Sequence, residues 1–344
     1  MIFRADGDLL ATDAEALVNT VNTVGVMGKG IALQFKLAFP DNYAAYEVAC
    51  KHGEVQIGKM FVFHRENNPR IIINFPTKRH WKGKSKIEDI KSGLKALLEV
   101  VRKERIKSIA VPPLGCGNGG LDWGDVRPLI TQAFSELPDV NVQLFYPEGA
   151  PKAVEMKIAT KRPSMTPGRA VILEVLNRYV LPEYRLTLLE IQKLAYFMQE
   201  AGEPLRFKFV KQQYGPYAEN LHHVLQAMEG HFVRGYGDRS RDVSLELYPD
   251  AVKEAESFLA NDADTQQRLD RVTSLIEGYE TPYGLELLST VHWVVMHDSV
   301  AEGRVRPDNV TSAVHSWNEH KRRTFTKQRI EASWQRLKSE GWLQ

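Results

Sequence analysis

Hydrophobic positions change rhythm part-way along the chain. In the first 150 residues, short apolar runs recur: EALVNTVN (15–22), RIIINF (70–75), SIAVPPL (108–114) and VNVQLFY (140–146). Each is short and flanked by turn-forming residues, so each reads as a strand. Between them the period lengthens. Ile87, Ile90, Leu94, Leu97, Leu98 and Val101 fall at helical spacing, with Ser85 placed as N-cap and Glu88 three residues on. A second helix is expected from Asp122 to about Phe134. Strands alternating with helices predict an α/β domain of three layers, α/β/α, around a mixed, mostly parallel sheet.

The segment GAPKAVEMKIATKRPSMTPGRA (149–170) breaks this alternation with prolines and basic residues, and reads as a linker or domain edge. Beyond it the pattern is helical: 170–181, 187–202, 217–232, 251–278, 284–297 and a closing helix over 327–343. The expected division is 1–155 for an α/β domain and 169–344 for a mainly α-helical one. There is no internal repeat and no low-complexity tract.

Composition narrows the class. The chain has 344 residues, 43% hydrophobic and 26% charged, enough for two packed cores. The net charge of +2 hides an asymmetry: residues 1–160 carry 21 basic and 18 acidic side chains, residues 171–320 carry 14 and 23. A slightly basic first part permits contact with nucleic acid. Two cysteines without CxxC spacing point to a reducing cytoplasm rather than a disulfide framework. The N-terminus MIFRADGDLL lacks a signal-peptide pattern, and no stretch reaches the roughly 18 apolar residues of a membrane span, so a cytoplasmic protein with no membrane partner is expected.

Two glycine-rich junctions carry the chemistry. The first strand runs through Gly25, Gly28 and Gly30 into an amphipathic helix. Glycines let backbone N–H groups approach an anion, and the helix adds its positive end. The spacing is G-x-x-G-x-G, not G-x-G-x-x-G, and Gly30 stands where a Walker loop needs Ser or Thr. Dinucleotide and NTP sites of the standard kinds are therefore excluded, while a diphosphate remains compatible. A second loop, PPLGCGNGGLDW (112–123), also follows a strand and precedes a helix. Two such loops at one end of a sheet can hold a diphosphate from both sides.

GDLLATDAEALVNTVNTVGVMGKGIALQFK with PPLGCGNGGLDW resembles the macrodomain, an ADP-ribose-binding fold, over roughly residues 1–150. VNTVNTVGVMGKGIA with INFPTKRHW (73–81) is similar, more narrowly, to the DarG antitoxins, which remove ADP-ribose from thymine bases in DNA modified by DarT toxins. It is also similar to lysine-dependent terminal ADP-ribose glycohydrolases. The resemblance implies that Asp8, beside Leu9, meets the adenine amino group and that Tyr146 stacks on adenine. It implies that Asn22 faces the distal ribose, Asn19 being structural. Gly28, Lys29, Gly30 and Ile31 would wrap the phosphates from one side, and Pro113, Leu114, Gly115, Cys116, Gly117 and Asn118 from the other. Cys116 as a nucleophile lacks a His partner nearby in sequence, which leaves it as a small loop residue.

Lys78 carries the implied catalysis, attacking the anomeric carbon of the distal ribose. An amine attacks only when neutral, a state favoured by burial and by neighbouring cations, for which Arg79, Lys82 and Lys29 are candidates. Read from residues alone, Lys78 is a surface lysine in a basic turn; the resemblance is what gives it the catalytic role. The related glycohydrolases have an aspartate where this chain has Gly119, and Asp122 lies three residues on, so the second catalytic group is left open. Arg79, His80, Trp81 and Lys82 form a basic stretch with an aromatic, which reads equally as a solvated turn with Trp81 tucked against the core and as a site for single-stranded DNA through phosphate contacts and base stacking. A modified base is reached most cheaply when unstacked. No cofactor is expected, ADP-ribose being ligand and product. No metal site is expected either: His222, His223 and His231 lack HExxH spacing, and His292 and His297 are five apart on a buried helix.

The segment IQKLAYFMQEAGEPLRFKFVKQQYGPYAENLHHVL (191–225) resembles the helical antitoxin domains of the SocA or Panacea type. That implies a DarT-type toxin as partner, and the acid excess suggests mimicry of DNA charge toward the toxin's basic groove. Two other functions remain open at this point: a non-catalytic ADP-ribose reader, and a macrodomain hydrolase acting on ADP-ribosylated protein or on O-acetyl-ADP-ribose.

Overall fold

A computed structural model describes residues 1–147, 155–180, 184–237, 243–298 and 307–343. The chain divides into two compact units, one built from Met1–Lys161 and the other from Arg162–Tyr236 with the chain beyond 242.

The first unit is a six-stranded sheet in the order β1-β6-β5-β2-β4-β3. Its strands are β1 (Ile2–Ala5), β2 (Ala16–Asn22), β3 (Phe61–His64), β4 (Ile71–Lys78), β5 (Ser108–Val111) and β6 (Asn141–Phe145). Every pairing is parallel except β3 with β4 at one edge. The apolar runs are continuous rather than alternating because both faces of the sheet are covered. Along β2, Ala16 and Val18 pack on one face with Leu94, Leu97, Val126 and Ile130. Those residues come from α3 (Ile87–Lys103) and α4 (Trp123–Phe134). Leu17 faces the other way, onto Phe35 and Ala38 of α1 (Gly30–Ala38). Val21 meets Tyr46 and Ala49 of α2 (Pro40–Lys51).

A ladder of three buried asparagines ties this sheet to a covering helix. Asn19 Nδ2 donates to Asn74 Oδ1 at 2.9 Å, and Asn74 Nδ2 donates to Asn42 Oδ1 at 2.7 Å. The ladder joins β2, β4 and α2, and it gives Asn19 the structural role read from its place on the strand.

Several predicted boundaries move. The capping box at Ser85 and Glu88 does not form: Lys86 is the N-cap of α3 and makes no side-chain cap bond. Ser85 is instead buried against the second glycine loop. The predicted helix 217–232 begins as strand, because the YGPY segment turns back on its neighbour. There β7 (Phe209–Gln212) and β8 (Gly215–Ala218) form an antiparallel hairpin, and α7 is confined to Leu221–Met228. The predicted helix 251–278 is two, α8 (Pro249–Leu259) and α9 (Ala263–Ile276), the second capped by Asp262. The end of the expected linker is already helix, since α5 (Pro167–Tyr179) starts at a Thr166 cap; residues 148–154 lie outside the described ones.

The second unit packs around α5, α6 (Leu188–Glu200) and α10 (Pro282–Met296), with α11 (Pro307–Trp317), α12 (Glu319–Thr324) and α13 (Lys327–Ser339) behind them. A short antiparallel pair, β9 (Val233–Arg234) and β10 (Glu246–Leu247), completes it. A full capping box, Thr187 with Glu190, starts α6. Among the described residues, no helix is long and apolar enough to cross a membrane.

Candidate functional site

The carboxyl ends of β2, β4, β5 and β6 lie along one edge of the sheet, where open α/β sheets place their ligand crevice. β2 is flanked by β4 and β5, so the chain leaves it in one direction and returns on its other side. Both glycine-rich loops start at this switch point.

The first loop is stapled by Asn22. Its Oδ1 accepts from Val24 N at 3.0 Å and Val26 N at 3.3 Å, and its Nδ2 donates to Val26 O at 2.6 Å. Buried Tyr46 donates to Asn22 O at 2.6 Å. Asn22 is only 4% exposed, so the amide expected to face a ribose is largely spent on its own loop. The loop is tied to the exit of β4, with Thr23 Oγ1 donating to Arg79 O at 2.8 Å. Lys29 is the N-cap of α1 without a side-chain cap bond, and Gly30 opens the helix at φ +57°.

The second loop folds on itself. Cys116 N donates to Pro113 O, Gly120 N to Gly117 O and Leu121 N to Gly115 O, all at 3.0–3.1 Å. Leu114 is buried in the core beneath it. The two loops meet at Asn118: a Cβ on Gly30 would lie 2.9 Å from Asn118 Nδ2. Glycine is favoured there by its positive φ, while the Asn118 amide, at the end of an exposed side chain, can move aside.

Lys78 is the last residue of β4. Its Nζ donates to Asn118 O at 3.1 Å and to Trp81 O at 3.2 Å. The amine thus sits beside the second loop, partly buried. Its pKa is lowered by burial. The cations proposed from sequence are not the cause. Arg79 turns away to pair with Asp89 at 2.9 Å, and Lys82 lies over the Trp81 ring at 4.9 Å. His80 stacks on Trp81 with ring centroids 5.4 Å apart, and Trp81 is 49% exposed. Val24 and Val26 are also exposed, on the neighbouring loop. No periodic pattern marked them, since they belong to a turn.

The departure at Gly119 has a packing reason. A Cβ there would lie 2.3 Å from Gly115 O and 2.3 Å from Ser85 Oγ. No side chain fits unless the loop opens, so an aspartate of the kind the resemblance leads one to expect has no place here. Asp122 does not replace it, because its Oδ1 caps α4 by accepting from Gly124 N at 2.7 Å. Cys116 is held as a thiol, its pKa pushed up to about 11 by burial and by Asp122, which speaks against a nucleophile.

At the far end of the crevice, Asp8 caps the turn Leu9–Ala11, accepting from Leu10 N at 2.9 Å, and burial raises its pKa. Leu9 is buried, and Ile31 packs on the same cluster. Tyr146, just past β6, packs edge-on to Trp123 at 5.3 Å beneath the Arg4 guanidinium at 4.5 Å. Sequence reading missed these neighbours, which come together only through strand pairing.

In the second unit, Glu200, His292 and His297 bring their ligand atoms within 4.8 Å of one another, a grouping the sequence spacing did not suggest. His292 Nδ1 is engaged by Tyr196 Oη at 2.7 Å, and His297 pairs with Glu200 at 3.2 Å.

The Macro domain family model matches residues 18–130. A DNA ADP-ribosyl glycohydrolase of Thermus aquaticus is 46% identical over 339 residues, covering 98% of this chain and 93% of that protein. The chain belongs to the DNA ADP-ribosyl glycohydrolase family. A fusion of DNA ADP-ribosyl transferase and DNA ADP-ribosyl glycohydrolase from Thermosipho africanus is 42% identical over 159 residues, 41% of each chain. The solved macrodomain of Mycobacterium tuberculosis DarG is 57% identical; it covers 43% of this chain and 99% of that one, with a TM-score of 0.43. This glycohydrolase is therefore an enzyme, and the non-catalytic reader is set aside.

Proposed function

We propose that this glycohydrolase removes ADP-ribose from thymine bases of single-stranded DNA, with Lys78 as nucleophile, and that its helical unit binds the DarT-type transferase whose damage it reverses. One observation carries the catalytic reading: the Lys78 amine lies within 3.1 Å of Asn118 O, at the junction of the two glycine loops. A diphosphate held by those loops leaves its distal ribose next to Nζ. The neutral amine forms a bond to the anomeric carbon as the N-glycosidic bond breaks; the bonding pair leaves with thymine, which takes up a proton. Water then displaces the lysine and frees ADP-ribose. Burial assists by favouring the neutral amine. Trp81, stacked on His80 and half exposed, offers a face for an unpaired base, and Lys82 offers charge for the adjacent phosphate.

The fusion of a transferase to a glycohydrolase in one relative supports the pairing of the two activities. The experiment uses an oligonucleotide carrying ADP-ribosyl-thymidine, single- and double-stranded, with wild type and Lys78→Ala. Turnover of the single strand, lost by at least about 100-fold in the variant with ADP-ribose affinity retained, supports the reading. Undiminished turnover by Lys78→Ala removes the nucleophile; equal rates on duplex remove the single-strand preference.

A further inference from the structure

The helical unit contains a cavity of about 430 Å³, lined in part by Leu188, Leu189, Lys193, Gln212, Tyr214 and Tyr217. Lys193 comes from the middle of α6 and is 2% exposed. Its Nζ donates to Pro216 O at 2.7 Å, under the hairpin tip, where a Cβ on Gly215 would lie 3.2 Å from it. An ammonium has three donors, and among the described residues no carboxylate pairs with this one. The nearby carboxylate, Glu286, is already held by Lys321 at 2.5 Å and by His320 at 3.1 Å. Two buried lysines therefore share one acid. Burial, then Lys321, bring the Lys193 pKa down to about 7, against the pull of Glu286. With a single carbonyl partner the charged form of this buried amine is costly, and an incoming anion relieves that cost.

The rim is fixed in advance. Trp317 Nε1 donates to Gln212 O at 2.9 Å, and Asn318 Nδ2 donates to Gln213 O at 3.0 Å. The Gln212 and Gln213 side chains are exposed and line the cavity, and no side-chain hydrogen bond of either is found among the described residues, so their amide N–H groups are available at the mouth. Beside it stand two exposed apolar side chains, Tyr214 at 47% and Val210, the cross-strand partner of Tyr217, at 49%. A small free anion would neutralise Lys193 and leave these bare. A carboxylate carried on a protein surface would neutralise Lys193 and cover them as well.

We propose that this cavity takes one carboxylate side chain of the transferase partner, with Lys193 as its counter-ion and Gln212 and Gln213 as flanking donors. This rests on the reading of the helical unit as transferase-binding, and it names the chemistry of that contact.

The test measures affinity of the full chain for its transferase by calorimetry at pH 7. Lys193→Met keeps the stem and removes the charge; affinity is expected to fall about 30-fold or more, with oligonucleotide turnover unchanged. A rim variant that leaves the core alone, Gln212→Glu with Gln213→Glu, is expected to lose about tenfold by repulsion. Neutralising the transferase's acidic residues in turn is expected to find one whose loss disappears in the Lys193→Met background. Wild type failing to bind the transferase overturns the reading of the unit and the proposal together. Binding that survives both variants within twofold overturns the proposal alone. So does free glutamate that raises the melting temperature of wild type but not of Lys193→Met while the complex is indifferent to either variant.

Discussion

Substituting Gly119 by aspartate introduces the carboxylate that the sequence resemblance leads one to expect there, yet the structure predicts a loss. The new Cβ would sit 2.3 Å from Gly115 O and from Ser85 Oγ, about 1 Å inside ordinary contact. Neither neighbour is free to retreat. Gly115 O accepts the bond from Leu121 N that closes the loop, and Ser85 is buried with its N–H donating to Gly119 O at 2.9 Å. Overpacking of this kind costs about 1–3 kcal/mol, and each loop hydrogen bond lost adds about 1 kcal/mol. A total of roughly 2–4 kcal/mol is expected, divided between a lower melting temperature and weaker ADP-ribose binding. Calorimetry with ADP-ribose and a thermal melt measure the two shares. Gly119→Ala separates the effect of the Cβ from that of the carboxylate and is expected to show most of the loss. Wild-type affinity in both variants, or faster turnover in Gly119→Asp, would refute the reasoning: the loop would be yielding, and the missing aspartate a lost catalytic group.

Three further outcomes follow from the geometry. Because the amine must be neutral to attack and burial lowers its pKa, kcat is expected to rise with pH and level off below the ordinary lysine value of 10.5; a profile flat in this range, with activity surviving Lys78→Ala, contradicts it. Trp81→Ala is expected to raise KM for the single-stranded oligonucleotide about 5- to 150-fold, the worth of one stacked base, while free ADP-ribose affinity stays the same; equal losses for both ligands would instead make Trp81 structural. Asn74→Leu strands Asn19 and Asn42 without their partner, at about 1–3 kcal/mol for each buried amide, so urea unfolding is expected to shift to a lower midpoint with its slope unchanged.

Local pattern was enough for the α/β alternation, the two glycine junctions and the change to helices. Apolar runs bounded by turns have one solution when both sheet faces are covered, and Asp122 followed by Trp123 marks a helix start with its own hydrogen bond. It failed where a tertiary contact outbid it. Ser85 has the chemistry of an N-cap, but its place beneath Gly119 takes it out of reach of α3. The YGPY segment has helical neighbours, but Gly215, at φ +98° over Lys193, holds it as a hairpin.

Sequence by itself determined which chemistry the chain could offer: glycines for close approach, a lysine at a strand end, a basic turn with a tryptophan, and a distinct helical part. Only the tertiary structure decided what each group is free to do. Lys78 reaches Asn118 because β4 and β5 both flank β2, 40 residues apart in sequence at the contact. Arg79 is taken by Asp89, Asn22 by its own loop, and the Gly119 position by its neighbours. The reason is physical: charge, hydrogen-bonding capacity and volume belong to a residue, whereas desolvation and the competition for partners belong to the packed neighbourhood, which local spacing does not encode.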